Sequence, residues 1–164
     1  MADSNLDLRA LAPQDDAALA RVIRQVLKEF GADREGFAFV DEELDRMSAH
    51  YQGPNAGYHV LVHGDRIVGG GGFAPLRGGD PVTAELKKMY FLPDVRGQGF
   101  GRKLIENILR DAQKAGYQQI YLETTEGMKD ALRLYEKLGF QRLSRPMGQT
   151  GHFACQVWLL RNLR

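Results

Sequence analysis

The sequence contains little of what marks several specialised classes of protein. With one cysteine, Cys155, among its 164 residues, the chain cannot form an internal disulfide, and nothing indicates an oxidising compartment. A net charge of +1 provides no broad basic surface for nucleic acid. No apolar run approaches the ~20 residues of a membrane span, and residues 1–12 lack the apolar core of a signal peptide. These absences predict a cytoplasmic protein that binds neither nucleic acid nor membranes.

What is present is typical of one globular domain. The 164 residues are 43% hydrophobic and 26% charged, which predicts a single domain over residues 1–164 whose core needs no metal or disulfide. No set of histidine, cysteine and aspartate residues has the spacing of a metal site, so no metal is expected. Residues 153–160 alternate like a buried strand, with Phe153 and Cys155 on the buried face, which predicts an inert thiol.

Apolar residues that recur every three or four positions predict the helices. The first such stripe covers residues 19–30 and is followed by Gly31, a common helix stop. Two more stripes cover residues 104–115 and 128–138, and a weaker helix is predicted over residues 41–51.

Stretches with strand character fill most of the remaining chain. They cover residues 58–63, 66–73, 82–92, 117–123, 140–143 and 153–160. The Gly64-Asp65 pair predicts a tight hairpin turn between the first two. The glycines at 69–72 and 78–79 are interpreted as a strand end followed by a turn. This order predicts a mixed α/β domain with a largely antiparallel sheet and helices on its faces.

A glycine-rich segment, Arg96-Gly97-Gln98-Gly99-Phe100-Gly101, separates the third strand from a strong helix. The first backbone N–H groups of a helix lack partners within it, and together with the helix dipole they attract anions. Glycine allows close approach to the backbone, and Arg96 and Arg102 add positive charge. The segment therefore predicts a phosphate site, although a tight turn without a ligand is the alternative interpretation.

Three phosphate-binding patterns can be compared with this segment. A P-loop requires Gly-Lys followed by Ser or Thr, and a dinucleotide fingerprint requires a glycine where Arg102 stands. The third pattern, [RQ]-x-x-G-x-[GA], is matched by Arg96, Gly99 and Gly101. Together with Tyr135 and the following Gly139-Phe140, this motif resembles the GCN5-related N-acetyltransferase (GNAT) superfamily. The resemblance covers about residues 6–160 and is weakest between 31 and 58.

The resemblance implies an α/β (α+β) fold with one GNAT-like domain. Its mixed, mostly antiparallel sheet would have about six to seven strands flanked by about four helices, with a splayed strand pair forming the slot for acetyl-CoA. The implied reaction moves the acetyl group of this cosubstrate to a primary amine of a small molecule or peptide, by direct attack in a ternary complex. The implied cofactor contacts are Met89, Tyr90, Phe91, Arg96, Gly97, Gln98, Gly99, Phe100, Gly101, Arg102, Thr125 and Met128.

The resemblance also assigns catalytic roles. Tyr135 matches the tyrosine that protonates the departing coenzyme A sulfur, although it shares the apolar stripe of its helix and could simply pack there. Glu85 and Glu123 both match positions of a general base, with Glu123 slightly favoured and a water chain as the third option. Met128 stands where many members have an asparagine that contacts the pantetheine arm, so Thr124 or Thr125 is expected to supply a polar contact instead.

Substrate contacts are expected from the segment after the first helix and from the loop before the last strand. Phe37, Tyr51 and His152 are the candidates, with packing as the alternative for each. The alternative functions are a non-catalytic acyl-CoA-binding sensor, which would not need Tyr135, and a nicotinamide-dependent oxidoreductase, which Arg102 disfavours. The resemblance also allows a homodimer.

Overall fold

The computed structural model describes residues 5–164, which form one sheet of seven strands and four helices. The strands are β1 (Leu6–Ala10), β2 (Gly57–His63), β3 (Arg66–Pro75), β4 (Thr83–Phe91), β5 (Gln119–Thr124), β6 (Gln141–Arg142) and β7 (Val157–Asn162). The helices are α1 (Asp16–Glu29), the single-turn α2 (Met47–His50), α3 (Phe100–Lys114) and α4 (Lys129–Lys137). The predicted fold class is confirmed. Within the described residues, no helix is both long and apolar enough to cross a membrane.

The sheet is mixed, and its single parallel pair lies at the centre. The strand order is β1-β2-β3-β4-β5-β7-β6, and every neighbouring pair is antiparallel except β4 and β5. That parallel pairing lasts three residues, from Thr83 opposite Gln119 to Glu85 opposite Tyr121. Beyond Glu85, β4 continues to Phe91 without a partner on this side, so the predicted splayed pair is confirmed.

A bulge in β4 accompanies the splay. Gly70 of β3 lies opposite Tyr90, whereas Gly72 lies opposite Lys87, so β4 contains one more residue than β3 over this interval. The backbone of Lys88 takes a left-handed conformation with φ of 52°, which is uncommon for a residue with a side chain. A bulge increases the local twist of a strand, and this twist helps β4 to diverge from β5.

Helices cover both faces of the sheet, as predicted. The apolar stripe of α1, with Leu19, Ile23 and Val26, is buried against one face together with Tyr58 and Val60 of β2. The stripes of α3 and α4 pack on the opposite face against β5 and β7 in the larger core. Each helix buries one side only, so its amphipathic pattern is sufficient to predict it.

Two predicted elements, the helix at 41–51 and the strand at 153–160, differ most in extent from the structure, which also has one strand that was missed. Strand β1 was not predicted. The weak helix at 41–51 is a 3₁₀ segment, Glu42–Arg46, followed by the one-turn α2. The helix is interrupted at Arg46, whose backbone is not helical, and the carboxylate of Asp16 on α1 accepts hydrogen bonds from the N–H (2.9 Å) and hydroxyl (2.6 Å) of Ser48. A tertiary contact therefore fixes the start of α2.

The last strand begins four residues later than predicted. The prediction that Phe153 is buried is wrong, since 75% of its surface is exposed. Ahead of β7, the N–H of Ala154 donates to the carbonyl of Gly36 (3.1 Å) and that of Cys155 to the carbonyl of His152 (3.0 Å), so these residues form a turn. The glycines at 69–72 also differ from their interpretation, since they lie inside β3.

We predict that Gly72→Ala destabilises the protein. A Cβ at position 72 would lie 2.2 Å from the carbonyl oxygen of Gly57 and 2.6 Å from the Tyr58 ring. Because one of these neighbours is backbone, the strands must move apart to remove the steric overlap. We expect a loss of about 1–3 kcal/mol in the free energy of unfolding. Urea denaturation measures it. Gly127→Ala, whose added methyl would make only an ordinary 3.6 Å contact, is the control. Equal stability of the two variants would contradict the close approach of the Gly57 carbonyl to position 72.

Candidate active site

A large cleft opens where β4 and β5 separate, and we call it the outer cleft. Its volume is about 690 Å³. Four segments form its walls: the end of α1 with Val26 and Phe30, the end of β4, the glycine turn before α3, and the start of α4. The lining residues include Met89, Tyr90, Phe91, Arg96, Gly97, Gly99, Gly101, Arg102, Met128, Lys129, Asp130 and Arg133.

The glycine turn forms a concave surface of backbone N–H groups. Gly97 and Gly99 have φ values of 74° and 85°, and an added Cβ at either position would meet nothing within 4 Å. The first hydrogen bond of α3 runs from Lys103 N–H to the Gly99 carbonyl (3.1 Å). Within residues 5–164, no hydrogen-bond acceptor is found for the N–H groups from Gly97 to Arg102. These free donors suit an anion.

Arg96 has a buried donor without a partner. Its Nε donates to the Phe91 carbonyl (2.8 Å) and its Nη1 to Glu29 (2.7 Å), while the guanidinium lies over the Phe30 ring, 5.4 Å from its centre. Its Nη2 is buried and, among the described residues, makes no hydrogen bond. Buried donors are nearly always paired, so this one leaves an unsatisfied polar group in the wall of the outer cleft.

The rim of the outer cleft is positively charged. Arg102, Lys129 and Arg133 line it with exposed side chains, against one exposed carboxylate, Asp130, which lies 3.8 Å from Arg133. Arg102 also donates to Glu106 on α3 (3.0 Å). Lys129, together with the two arginines and the free N–H groups of the turn, favours a ligand with several phosphate groups.

A second, much smaller cavity lies deeper in the splay, and we call it the inner pocket. Its volume is about 50 Å³. Tyr90 and Met128 line both cavities, so the outer cleft and the inner pocket meet at these two side chains. The remaining lining residues are Leu27, Phe37, Ala38, Glu85, Leu86, Lys87, Lys88, Glu123, Thr124, Thr125, His152 and Cys155.

Three ionisable side chains converge in the inner pocket. Carboxylate oxygens of Glu85 and Glu123 and a ring nitrogen of His152 lie within 4.8 Å of one another. Burial raises the pKa of Glu85 to about 6, against the opposing charge of Lys87. Burial also raises the pKa of Glu123, although its carboxylate accepts a hydrogen bond from Thr150. Carboxylates with raised pKa values are suited to accept a proton near neutral pH.

A salt-bridge network lies behind this cluster. Lys88, whose side chain is 1% exposed, donates to Asp41 (2.7 Å) and to Glu43, and Lys87 lies 3.0 Å from Glu43. Although burial opposes it, the hydrogen bond from His152 and the charge of Lys88 hold the pKa of Asp41 below its usual value. The Nε2 of His152 lies 3.0 and 2.9 Å from the two oxygens of Asp41.

The family of the chain follows from comparison with known proteins. A model of the acetyltransferase (GNAT) family matches residues 22–140, more than half of the chain. The chain belongs to the GNAT family. The uncharacterized N-acetyltransferase YjgM of Escherichia coli K12 is 44% identical to it over 158 residues, which are 95% of this chain and 94% of that protein.

Solved GNAT structures share the fold. An acetyltransferase of Staphylococcus aureus Mu50 superimposes with a TM-score of 0.84 at 20% identity, covering 97% of this chain and 99% of the other. The yncA protein of Salmonella typhimurium, solved with its cofactor acetyl-CoA, gives a TM-score of 0.75 at 19% identity, covering 97% and 94%. At sequence identities this low, the structural similarity shows only that these proteins share a fold.

Most of the site residues predicted from the GNAT motif lie around the two cavities. The outer cleft is lined by Met89, Tyr90, Phe91, Arg96, Gly97, Gly99, Gly101, Arg102 and Met128, and the inner pocket by Phe37, Glu85, Glu123, Thr125 and His152. Gln98 and Phe100 contribute backbone only, since the Gln98 side chain donates to the Asp94 carbonyl (3.1 Å) and Phe100 packs with Val95.

Two further predicted side chains, Tyr51 and Tyr135, also line neither cavity. Tyr51 packs edge to face on Tyr58, 5.2 Å between ring centres, and its hydroxyl donates to Glu43 (3.4 Å). Tyr135 is 5% exposed and packs on Phe140, 5.6 Å between ring centres. Among residues 5–164, nothing accepts a hydrogen bond from the Tyr135 hydroxyl, and burial raises the pKa of this phenol, so the phenol keeps its proton.

Sequence reasoning missed Asp41 and Lys88, which join two segments of the site. They are 47 residues apart in the chain, and neither stands in a motif. The unusual backbone of Lys88 follows from a bulge that periodicity does not reveal. Cys155, in contrast, behaves as an inert thiol although it lines the inner pocket, since burial raises its pKa to about 12.

We predict that Glu85→Gln stabilises the free protein in a pH-dependent way. Folded Glu85 has a pKa of about 6, against 4.5 in the unfolded chain. Above pH 6 the folded state therefore contains a buried, charged carboxylate, which lowers the free energy of unfolding. Below pH 4.5 the group is protonated in both states, and this penalty is absent. We expect the variant to gain about 2 kcal/mol of unfolding free energy at pH 8 and nothing at pH 4.

Urea denaturation at the two pH values measures this difference. Glu35→Gln, at an exposed position, is the control and should change stability at neither pH. A gain of equal size at both pH values, or no gain at pH 8, would contradict the raised pKa.

Proposed function

We propose that the protein transfers the acetyl group of acetyl-CoA to a primary amine of a small molecule or peptide. The observation that carries this proposal is the meeting of two cavities of different character at Tyr90 and Met128. The outer cleft suits a long ligand with phosphates, and the inner pocket suits a small cationic group. The donor and the acceptor would meet where the cavities join.

The outer cleft fits acetyl-CoA in three respects. The free N–H groups from Gly97 to Arg102 would hold the pyrophosphate, and the rim cations would contact the remaining phosphate. The unpaired Nη2 of Arg96 would gain an acceptor. The acetyl-CoA bound to the Salmonella relative, which has the same fold, supports this assignment.

The backbone of β4 would polarise the thioester. Acetyl-CoA supplies an activated acyl carbon, which the amine attacks so that a C–N bond forms and the C–S bond breaks. The N–H of Leu92 donates to the Val68 carbonyl of β3 (2.9 Å), so by strand alternation the N–H of Phe91 points the other way, into the splay. A donor in this position can stabilise the negative charge that develops on the carbonyl oxygen.

Proton transfer would use Glu85 and Tyr135. The attacking amine must lose a proton, and Glu85 lies at the last paired position of β4 with no hydrogen-bond partner among the described residues. Glu123 shares the inner pocket, but its carboxylate already accepts a hydrogen bond from Thr150, so Glu85 has more free acceptor capacity. Tyr135, which remains protonated, would donate to the departing sulfur.

Loss of the cofactor contacts should weaken coenzyme A binding. We expect Arg96→Gln to raise the Kd of coenzyme A about tenfold or more, because a charge-assisted contact is lost. Lys129→Gln, at the exposed rim, tests the same cleft without disturbing the bonds to Phe91 and Glu29. Calorimetry measures both, with the exposed Arg110→Gln on α3 as control. Unchanged affinity in both cleft variants would contradict this binding mode.

The activity itself is tested by thiol release from acetyl-CoA across a panel of amines. We expect Glu85→Gln to lower kcat/KM about 10²–10⁴-fold, as is usual for a lost general base, and Glu123→Gln to lower it less. If Glu123→Gln lowered kcat/KM more than Glu85→Gln, Glu123 and not Glu85 would be the general base. Tight coenzyme A binding without release of thiol from any amine would instead favour the acyl-CoA sensor.

Tyr135→Phe separates the acid role from simple packing. As a general acid, Tyr135 should account for about 10²-fold or more of kcat, while coenzyme A affinity and Tm stay near those of the wild type. Tyr117→Phe, which loses a hydrogen bond to the Asn55 carbonyl (2.8 Å) far from the motif turn, is the matched control. A kcat in Tyr135→Phe equal to that of the wild type would leave Tyr135 a packing role only.

A further inference from the structure

Every lysine beside the inner pocket already has a carboxylate partner. Lys88 is paired with Asp41 and Glu43, and Lys87 lies 3.0 Å from Glu43. No arginine is among the lining residues of the described chain; Arg34 lies over the outer side of Phe37, 5.1 Å from the ring centre, and does not line the pocket. His152, which also lines the pocket, is held through its Nε2 by Asp41 (2.9 Å). Each basic side chain of the described lining is therefore already engaged by a carboxylate, and a negatively charged ligand would find no free cation.

Its two acids, in contrast, make no salt bridge within residues 5–164, although a ring nitrogen of His152 lies within 4.8 Å of their oxygens. Glu85 is 5% exposed, lines the pocket, and has neither a hydrogen bond nor a salt bridge within residues 5–164. Glu123 accepts a hydrogen bond from the neutral hydroxyl of Thr150. Since their oxygens lie within 4.8 Å of each other, one ammonium group between them could contact both carboxylates. A buried, unpaired carboxylate aimed into a cavity is evidence for a cationic ligand.

A carboxylate on the same carbon as this ammonium would lie in an electrostatically unfavourable environment. It would enter the pocket within a few ångströms of Glu85 and Glu123, where like charges repel strongly, and it would lose its water without gaining a cation. A neutral carboxamide of the same shape would suffer neither effect. The pocket thus distinguishes a free amino acid from its amide by charge alone.

We infer that the acceptor is an amine whose neighbouring carbon carries no carboxylate, either an alkylamine or the α-amine of a peptide or amino-acid amide, and that free amino acids are excluded. This inference rests on the proposed acetyl transfer and adds the charge of the substrate. The apolar walls formed by Leu27, Phe37 and Ala38 suit the carbon chain of such an amine.

Three small amines test the inference: isopropylamine, L-alanine and L-alaninamide, which differ only in the methyl, carboxylate or carboxamide group on the carbon beside the amine. They are small, as a pocket of about 50 Å³ requires. Isopropylamine is at least as basic as alanine, so a preference for it cannot arise from a larger fraction of neutral amine. Alaninamide is a weaker base than alanine, so kcat/KM is compared for the neutral form of each amine. With saturating acetyl-CoA, we expect this value for isopropylamine and for alaninamide to exceed that for alanine by on the order of 100-fold or more.

A variant that removes one negative charge tests the cause of the preference. Glu123→Gln should reduce the ratio of kcat/KM for alaninamide to that for alanine at least about tenfold, because half of the repelling charge is gone. Glu42→Gln, at an exposed position on the same side of the site, should leave the ratio unchanged. Because the ratio compares two substrates of one variant, a general loss of activity does not affect it.

Binding in the presence of coenzyme A decides the inference even without turnover. If calorimetry shows that isopropylamine and alaninamide bind and alanine does not, the charge selection holds although acetyl transfer fails. Alanine that binds or reacts as well as alaninamide overturns the inference while leaving the acetyltransferase proposal intact. A ratio that stays constant in Glu123→Gln overturns the electrostatic cause.

Discussion

The pairing between β4 and β5 ends after three residues, and both cavities of the site exist because of it. Past Glu85 and Tyr121 the two parallel strands separate, which leaves an unpaired edge of β4 facing a gap. Such an edge is unfavourable inside a protein, because its N–H and C=O groups lack partners. Here the gap contains the outer cleft and the inner pocket, so the unpaired backbone remains available to a ligand.

The divergence of β4 is fixed by contacts around Lys88. A left-handed conformation at a residue with a side chain costs on the order of 1–3 kcal/mol, so it persists only when its surroundings enforce it. The Tyr58 hydroxyl donates to the Lys88 carbonyl (2.7 Å), and the buried ammonium is held by Asp41 and Glu43. Buried ion pairs contribute little net stability, but this one fixes the geometry of the bulge and attaches residues 41–43 to the sheet.

The same ion pairs determine the charge of the inner pocket. Because Asp41 and Glu43 pair with both lysines, Glu85 and Glu123 have no salt-bridge partner among the described residues. The protein therefore contains a buried carboxylate, Glu85, beside a half-buried one, Glu123, next to the place where the outer cleft ends. Such local cost is common at functional sites, where groups are arranged for a ligand rather than for the free protein.

The motif and the helices could be predicted from the sequence because local rules determine them. Arg96, Gly99 and Gly101 form the turn that the pattern implies, and α1, α3 and α4 follow from one-sided apolar stripes. The parts that could not be predicted depend on distant contacts. Asp16 fixes the start of α2, Ala154 and Cys155 form a turn where alternation suggests a strand, and Asp41 reaches Lys88 across 47 residues. Periodicity carries no information about such pairs.

The most direct measurement is a crystal structure of the protein with coenzyme A. The pyrophosphate should lie on the N–H groups from Gly97 to Arg102, with the Arg96 Nη2 hydrogen-bonded to the ligand. The thiol sulfur should lie in the gap between β4 and β5, beside Tyr90 and Met128 and facing the inner pocket. Coenzyme A bound away from the glycine turn, or with its sulfur directed away from the gap, would contradict the central claim that the splay of these strands joins donor and acceptor.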